Sequence, residues 1–137
     1  MTHEFTCRVY YEDTDLAGIV YYANYLKFIE RARTEFIRAL GIDQNRVRAE
    51  HGVVFAVRRV EIDYLLPARF DDLIRVETRL RALTGARVVL TQDVFRARDM
   101  LVQAEVTLVS LADSGRPTRF PADIRRKLGQ ILARSPD

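Results

Sequence analysis

Three carboxylates, Glu12, Asp13 and Asp15, come just before Gly18 and a group of tyrosines that leads into the longest amphipathic segment of the chain. The stretch from Tyr10 to Arg33 reads YYEDTDLAGIVYYANYLKFIERAR. An acid beside a helix start can do chemistry. The unpaired N–H groups and positive dipole end of the first turn stabilise negative charge. The same donors can hold an oxyanion as it develops on a carbonyl. A carboxylate with backbone donors therefore suffices for acyl transfer from an activated ester, without a metal or a histidine. The plainer role for Asp13 and Asp15 is to close turns or cap the helix, and spacing alone favours it. A calcium loop does not fit. Counted from Asp13, its fifth position is Ala17 and its twelfth is Asn24, where a bidentate Glu is needed.

The elements that position this stretch can be read from periodicity. Residues 5–10 alternate Phe5, Cys7 and Val9 with polar residues and predict a strand; residues 11–20 predict a loop. Over 22–40, Tyr25, Phe28, Ile29, Ala32, Phe36, Ile37 and Leu40 recur at three and four, the stripe of a core helix. Asn24 is the expected N-cap and Gly41 the expected stop. Lys27–Glu30 and Glu35–Arg38 are spaced to support the helix. Residues 43–51 are polar and fit one short helix. Strands follow over 53–66, 73–83, 87–95 and 100–111, separated by Asp71-Asp72, Thr84-Gly85-Ala86 and Ala97-Arg98-Asp99. A short helix over 122–132 follows Pro121. The order strand, long helix, four strands predicts an α+β fold, with one helix on a curled antiparallel sheet of five strands. Such an open sheet leaves an edge, so a homodimer with joined sheets is expected.

Composition narrows the function. The chain has 137 residues, 48% hydrophobic and 30% charged, which predicts one globular domain over 1–137. Lys+Arg is 22 against 19 Asp+Glu, a net charge of +3, too mild for a dedicated nucleic-acid binder. Tyr10, Tyr11, Tyr21, Tyr22 and Tyr25 lack the basic groove that base stacking would need. The single cysteine, Cys7, excludes an internal disulfide and any zinc site built on cysteine pairs; it reads as a small core residue. No apolar run approaches the ~20 residues of a membrane span. The first residues carry no apolar signal segment, and a cytoplasmic setting is the expectation. The two histidines, His3 and His51, fall in a terminus and a loop.

The segment from Tyr10 to Arg33 resembles the signature of the hotdog-fold acyl-CoA thioesterases. The closest likeness is to the 4-hydroxybenzoyl-CoA thioesterase family and its Tol–Pal-associated branch. The resemblance rests on Glu12-Asp13-Thr14-Asp15-Leu16-Ala17-Gly18-Ile19-Val20-Tyr21, on Tyr25, and on Glu30-Arg31-Ala32-Arg33. It extends over nearly the whole chain through the order of elements, and implies a hotdog fold, a long helix wrapped by a five-stranded antiparallel sheet.

By position it implies that Asp15 is the catalytic carboxylate, as nucleophile or as general base on water. The N–H of Tyr22 is then the oxyanion donor, and Gly18 and Val20 lie in the loop that approaches the thioester. Gly18, without a Cβ, lets backbone come close to substrate. Some members of the branch carry His where this chain has Tyr22, so a side-chain role for that histidine is lost while the backbone role survives. Glu30 corresponds to a helix acid near the acyl group, although a pair with Lys27 or Arg33 would account for it equally well. Coenzyme A carries phosphates, and Arg58, Arg59 and Arg87 are the candidate contacts, each also explicable as a solvated strand residue. No cofactor and no metal are implied.

The implied partners are an acyl-CoA substrate and a second copy of the chain, in a homodimer or homotetramer. The alternative function is a non-catalytic module that binds acyl carrier protein or phospholipid-synthesis enzymes. A hotdog dehydratase ranks lower, because it needs a pocket histidine.

Overall fold

The computed structural model describes residues 1–134. Its strands are β1 (His3–Arg8), β2 (Val53–Tyr64), β3 (Leu73–Leu83), β4 (Arg87–Arg96) and β5 (Asp99–Ala112). Its α-helices are α1 (Tyr25–Ala39), α2 (Gln44–His51) and α3 (Ala122–Arg134). Short 3-10 turns occupy Tyr11–Asp13 and Tyr22–Asn24.

The sheet is antiparallel, in the order β1-β3-β4-β5-β2. Two hairpins, β3–β4 and β4–β5, join strands that follow each other, as expected from tight turns. The link from β2 to β3 is not a tight turn. Residues 65–72 cross from one edge of the sheet towards the other, so β2 pairs with β5 while β3 pairs with β1. The crossing ends in Asp71, held at φ 71. Both edges, β1 and β2, are left unpaired.

The apolar stripe of α1 is buried as the periodicity predicts: Phe28, Ile29, Ala32, Phe36 and Ile37 join Ile74, Val76, Leu90, Val94 and Val106 of the sheet in one hydrophobic cluster. Ile124 and Leu128 of α3 extend it. The stop is as expected. Gly41, at φ 79, donates to Arg38 O at 3.0 Å, and the Ile42 N–H reaches Ile37 O at 3.3 Å, the paired bonds of a Schellman end. The start differs. Asn24 has helical backbone angles and makes no side-chain cap. Its amide Nδ2 instead donates to Asp13 O at 2.9 Å, because a 3-10 turn already leads the chain into the helix. The residue that does cap is Asp43, which accepts from the Asn45 and Arg46 N–H groups to open α2. His51 is the last residue of α2 rather than a loop residue.

A buried polar triad crosses the core. Gln92, fully buried on β4, donates to the Ile29 carbonyl of α1 and to Thr78 Oγ1, each at 3.0 Å, and accepts from Arg33 at 3.1 Å. Burial pulls the Arg33 guanidinium below its ordinary pKa, against the opposing field of Glu30. An amide satisfied on both sides fixes the helix against the sheet, since slipping it would strand buried polar atoms. No helix among the described residues is long and apolar enough to cross a membrane.

Candidate active site

Residues 10–24 form a closed loop around Asp13 and Asp15. Asp13 serves the fold: its Oδ2 accepts from the Tyr10 N–H at 2.7 Å, and its carbonyl accepts from the Tyr21 N–H at 3.0 Å. A bridge between Thr14 and Val20 makes a short hairpin. Asp15 stands at its tip. Its N–H donates to Ile19 O at 2.9 Å, and its carbonyl accepts from Gly18 at 3.0 Å. Oδ1 accepts from the Ala17 N–H at 2.9 Å, the turn bond of the plainer reading. Oδ2 has no partner among the described residues, and the side chain is solvent-exposed. One carboxylate oxygen therefore holds the turn while the other is free to act. Gly18 sits at φ 78, and a Cβ added there would meet nothing within 4 Å, so its requirement is the left-handed backbone rather than crowding from protein atoms.

The second limb of the hairpin runs through Val20 and Tyr21 into the 3-10 turn at Tyr22. The Tyr22 N–H, first in that turn, has no acceptor among the described residues. The Tyr21 carbonyl of the same peptide unit accepts from the Asn24 N–H at 2.8 Å, which polarises the unit and strengthens its free N–H as a donor. Val20 is 3% exposed, and its N–H is already committed to Ala68 O at 2.8 Å. Val20 thus shapes the site through its side chain.

Behind this turn lies a hollow of about 280 Å³ lined by Ile19, Val20, Tyr22, Tyr25, Tyr64 and Leu65. Sequence reasoning gave no role to two residues that organise it, Ala68 and Tyr64. The Ala68 N–H donates to Tyr25 Oη at 2.9 Å, so Ala68 ties the start of α1 to the hairpin through its two backbone groups. Tyr64 Oη donates to the Tyr22 carbonyl at 3.2 Å. Burial raises the Tyr25 phenol above its ordinary pKa, and it raises Tyr64 with a smaller push from Tyr22. The only signal in the sequence is the density of tyrosines around the acid motif.

The remaining candidates are scattered. Glu30 is exposed on α1 and accepts from Thr34 Oγ1 at 3.2 Å, rather than pairing with Lys27. Arg58 and Arg87 come together: both line a hollow of about 410 Å³ with Val57, Val109 and Leu111. Arg58 falls where the β2–β5 register shifts, a bulge that turns it towards Arg87. Arg59 lies beyond the bulge, opposite Thr107, and forms an ion pair with Glu61. Cys7 packs against the core, and burial lifts its thiol pKa against the pull of Arg31, the environment of an unreactive cysteine. Among the described residues, no group of three or more His, Cys, Asp or Glu side chains is arranged to hold a metal ion.

The sequence profile of the Thioesterase-like superfamily matches residues 9–128. An acyl-CoA thioesterase, YbgC, of Haemophilus influenzae is 42% identical over 123 residues, covering 88% of this chain and 90% of the relative. The acyl-CoA thioester hydrolase YbgC of Escherichia coli O6:H1 is 40% identical over 119 residues, 85% of this chain and 88% of the relative. Among solved structures, a probable thioesterase from Bartonella henselae superposes with a TM-score of 0.84 at 38% identity, covering 88% of this chain and all of that one. With its helix laid on a five-stranded antiparallel sheet, the chain belongs to the thioesterase-like superfamily and is a hotdog-fold thioesterase.

Proposed function

We propose that this protein hydrolyses acyl-CoA thioesters to the free acid and coenzyme A, with Asp15 as the reacting carboxylate and the Tyr22 N–H as oxyanion donor. The observation that carries the reading is the pairing of a half-free carboxylate with an unpaired, polarised N–H on the two limbs of one closed hairpin. Two routes use these groups. In the first, Asp15 attacks the thioester carbon, and the carbonyl electrons move onto oxygen, where the Tyr22 N–H receives them. Collapse breaks the C–S bond, the thiolate leaves, and water hydrolyses the mixed anhydride. In the second, Asp15 takes a proton from water as the water attacks, and that proton passes to the departing thiolate. Both rely on a thiolate being a good leaving group, so a carboxylate and a donor suffice.

The acyl group would sit in the hollow behind Tyr22, within reach of Val20 and Gly18 on the hairpin; Glu30, exposed on α1, does not line that hollow and is the weaker candidate for it. Arg58 and Arg87 would meet the phosphates of the carrier, with Arg59 a weaker candidate because Glu61 already neutralises it. Arg58 and Tyr64 are separated by six residues of extended strand, about 20 Å. A second copy resolves that separation. β2 is an unpaired edge with Val54, Val57 and Tyr64 exposed. Antiparallel pairing of two β2 strands about a twofold axis at Glu61 sets Arg58 of one copy opposite Tyr64 of the other. The functional unit is then a homodimer, or a pair of dimers, of one hotdog domain per chain. The lone thiol favours a cytoplasmic setting.

A steady-state screen of short, long and aromatic acyl-CoAs, with Asp15→Ala as control, tests the reading. Acyl carrier protein loaded with the same acyl groups forms a second arm, because its thioester presents the same reacting bond. Hydrolysis by the wild type that is lost in a folded Asp15→Ala supports the reading. A wild type that turns over nothing, or an unimpaired variant, refutes it and leaves a carrier-binding module.

A further inference from the structure

The local structure of Tyr22 gives its carbonyl one bond, from the Tyr25 N–H of the same turn. Its 3-10 turn has three residues, and its side chain is 61% exposed, so neither helix length nor burial fixes it. A second restraint on that carbonyl comes from β2. Tyr64 Oη donates to the Tyr22 carbonyl at 3.2 Å, and the two rings meet edge to face with centroids 5.9 Å apart.

Tyr64 is itself anchored. It lies opposite Val102, which is fully buried, and the N–H groups of Leu65 and Leu66 both reach Leu101 O, at 2.8 and 3.1 Å. Its ring also packs against Tyr25, 5.6 Å away, and Tyr25 is 3% exposed. The phenol is thus delivered from the rigid end of a sheet strand onto the backbone of the one residue whose N–H must point at the reacting carbonyl.

We infer that Tyr64 is a positioning residue for hydrolysis: its O–H, donated to the Tyr22 carbonyl, holds the Tyr22 backbone so that the N–H of that residue faces the developing oxyanion. This rests on the proposed role of Tyr22 as oxyanion donor. Oxyanion stabilisation depends on donor geometry, and losing one donor outright costs about 10²–10³ in kcat. Loosening a donor costs part of that. The loss falls on kcat rather than KM, because the bond matters in the transition state and little in the bound thioester.

The test compares wild type, Tyr64→Phe and Asp15→Ala on the acyl-CoA that the wild type hydrolyses best, with thermal melting of each. Tyr64→Phe keeps the ring and its contacts and removes only the donor. It should lower kcat about five- to thirtyfold, a fraction of a full donor loss, with KM within about twofold and the melting temperature held within about 2 °C. An unchanged kcat, a loss carried by KM, or a fall in kcat matched by a fall in melting temperature overturns the positioning role. The controls separate this from the reading beneath it. A wild type that hydrolyses none of the acyl-CoAs, or an Asp15→Ala variant with full activity, removes the site itself and Tyr64's role with it. When both controls behave as expected, an unaffected Tyr64→Phe overturns Tyr64 alone.

Discussion

The two halves of β2 are built to opposite plans. At its end, Tyr64 meets Tyr22 and Tyr25, and Ala68 bonds to both Val20 and Tyr25, so the hairpin that carries Asp15 is clamped from several sides. Towards its middle, a bulge turns Arg58 beside Arg87 over an open hollow, and neither guanidinium has an ion pair among the described residues. The difference matches what each end has to do. Oxyanion stabilisation rewards groups already in place before the reaction. Holding a mobile phosphate rewards exposed cations on long side chains, whose geometry matters less than their charge. On the proposed function, the Asp15 end is largely assembled within one chain, while the arginine end meets the site only through a neighbouring copy.

Breaking the clamped end gives the largest effects. Asp15→Asn keeps an oxygen for the Ala17 N–H and removes the charge, so the hairpin survives while kcat falls by about 10²–10⁴. Steady-state kinetics with an unchanged melting temperature checks this. Next, Tyr25→Phe strips the acceptor from the buried Ala68 N–H and should destabilise the fold by about 1–3 kcal/mol, read by urea denaturation. The arginine end should respond differently. Arg58→Glu with Arg87→Glu should raise KM for acyl-CoA about tenfold at low salt and leave kcat and stability alone. A thioester of N-acetylcysteamine, which has no phosphates, should be insensitive to the pair.

The smallest effect lies in the crossing from β2 to β3. Burial alone would raise the Asp72 pKa, but the Arg69 N–H and Arg96, the latter at 2.8 Å, hold it below its ordinary 3.8. A carboxylate with a depressed folded-state pKa adds stability that is present above the unfolded value and lost as pH falls through the folded one. Asp72→Asn should therefore weaken the protein at neutral pH and match wild type once acid has protonated Asp72, so the gap between their denaturation midpoints should close as pH falls below the ordinary 3.8.

The elements were legible where one rule decides them. The three-and-four stripe from Phe28 to Ile37 identified α1, and Gly41 its end, because burial and a left-handed backbone admit few alternatives. The start of α1 was not legible. Asn24 is a good cap by type, but its amide is taken by Asp13, a contact eleven residues away that no local rule contains. The order of strands in the sheet was not legible for the same reason: pairing of β2 with β5 depends on a crossing held by Asp72 and Arg96 rather than by turn residues alone. In the site, Asp15 and Tyr22 were reached through resemblance to a family, since an acidic turn before a helix is ordinary. Tyr64 and Ala68 lie more than forty residues from the motif they support, so only the fold brings them into view. Gln92 is likewise a lone amide in an apolar strand until the Ile29 carbonyl is seen opposite it.

The most direct test of the account is subunit complementation, because its central claim is that the Asp15 end of one copy works with the arginine end of another. Asp15→Ala and the Arg58→Glu, Arg87→Glu variant would be purified, mixed in equal amounts, dissociated and reassociated, then assayed with acyl-CoA well below KM. Random pairing makes half the dimers mixed, and each mixed dimer holds one site with both contributions intact. Activity should therefore rise to about a quarter of wild type, well above either parent. If the mixture shows only the average of its two parents, acid and arginines act within one chain and the shared site is refuted.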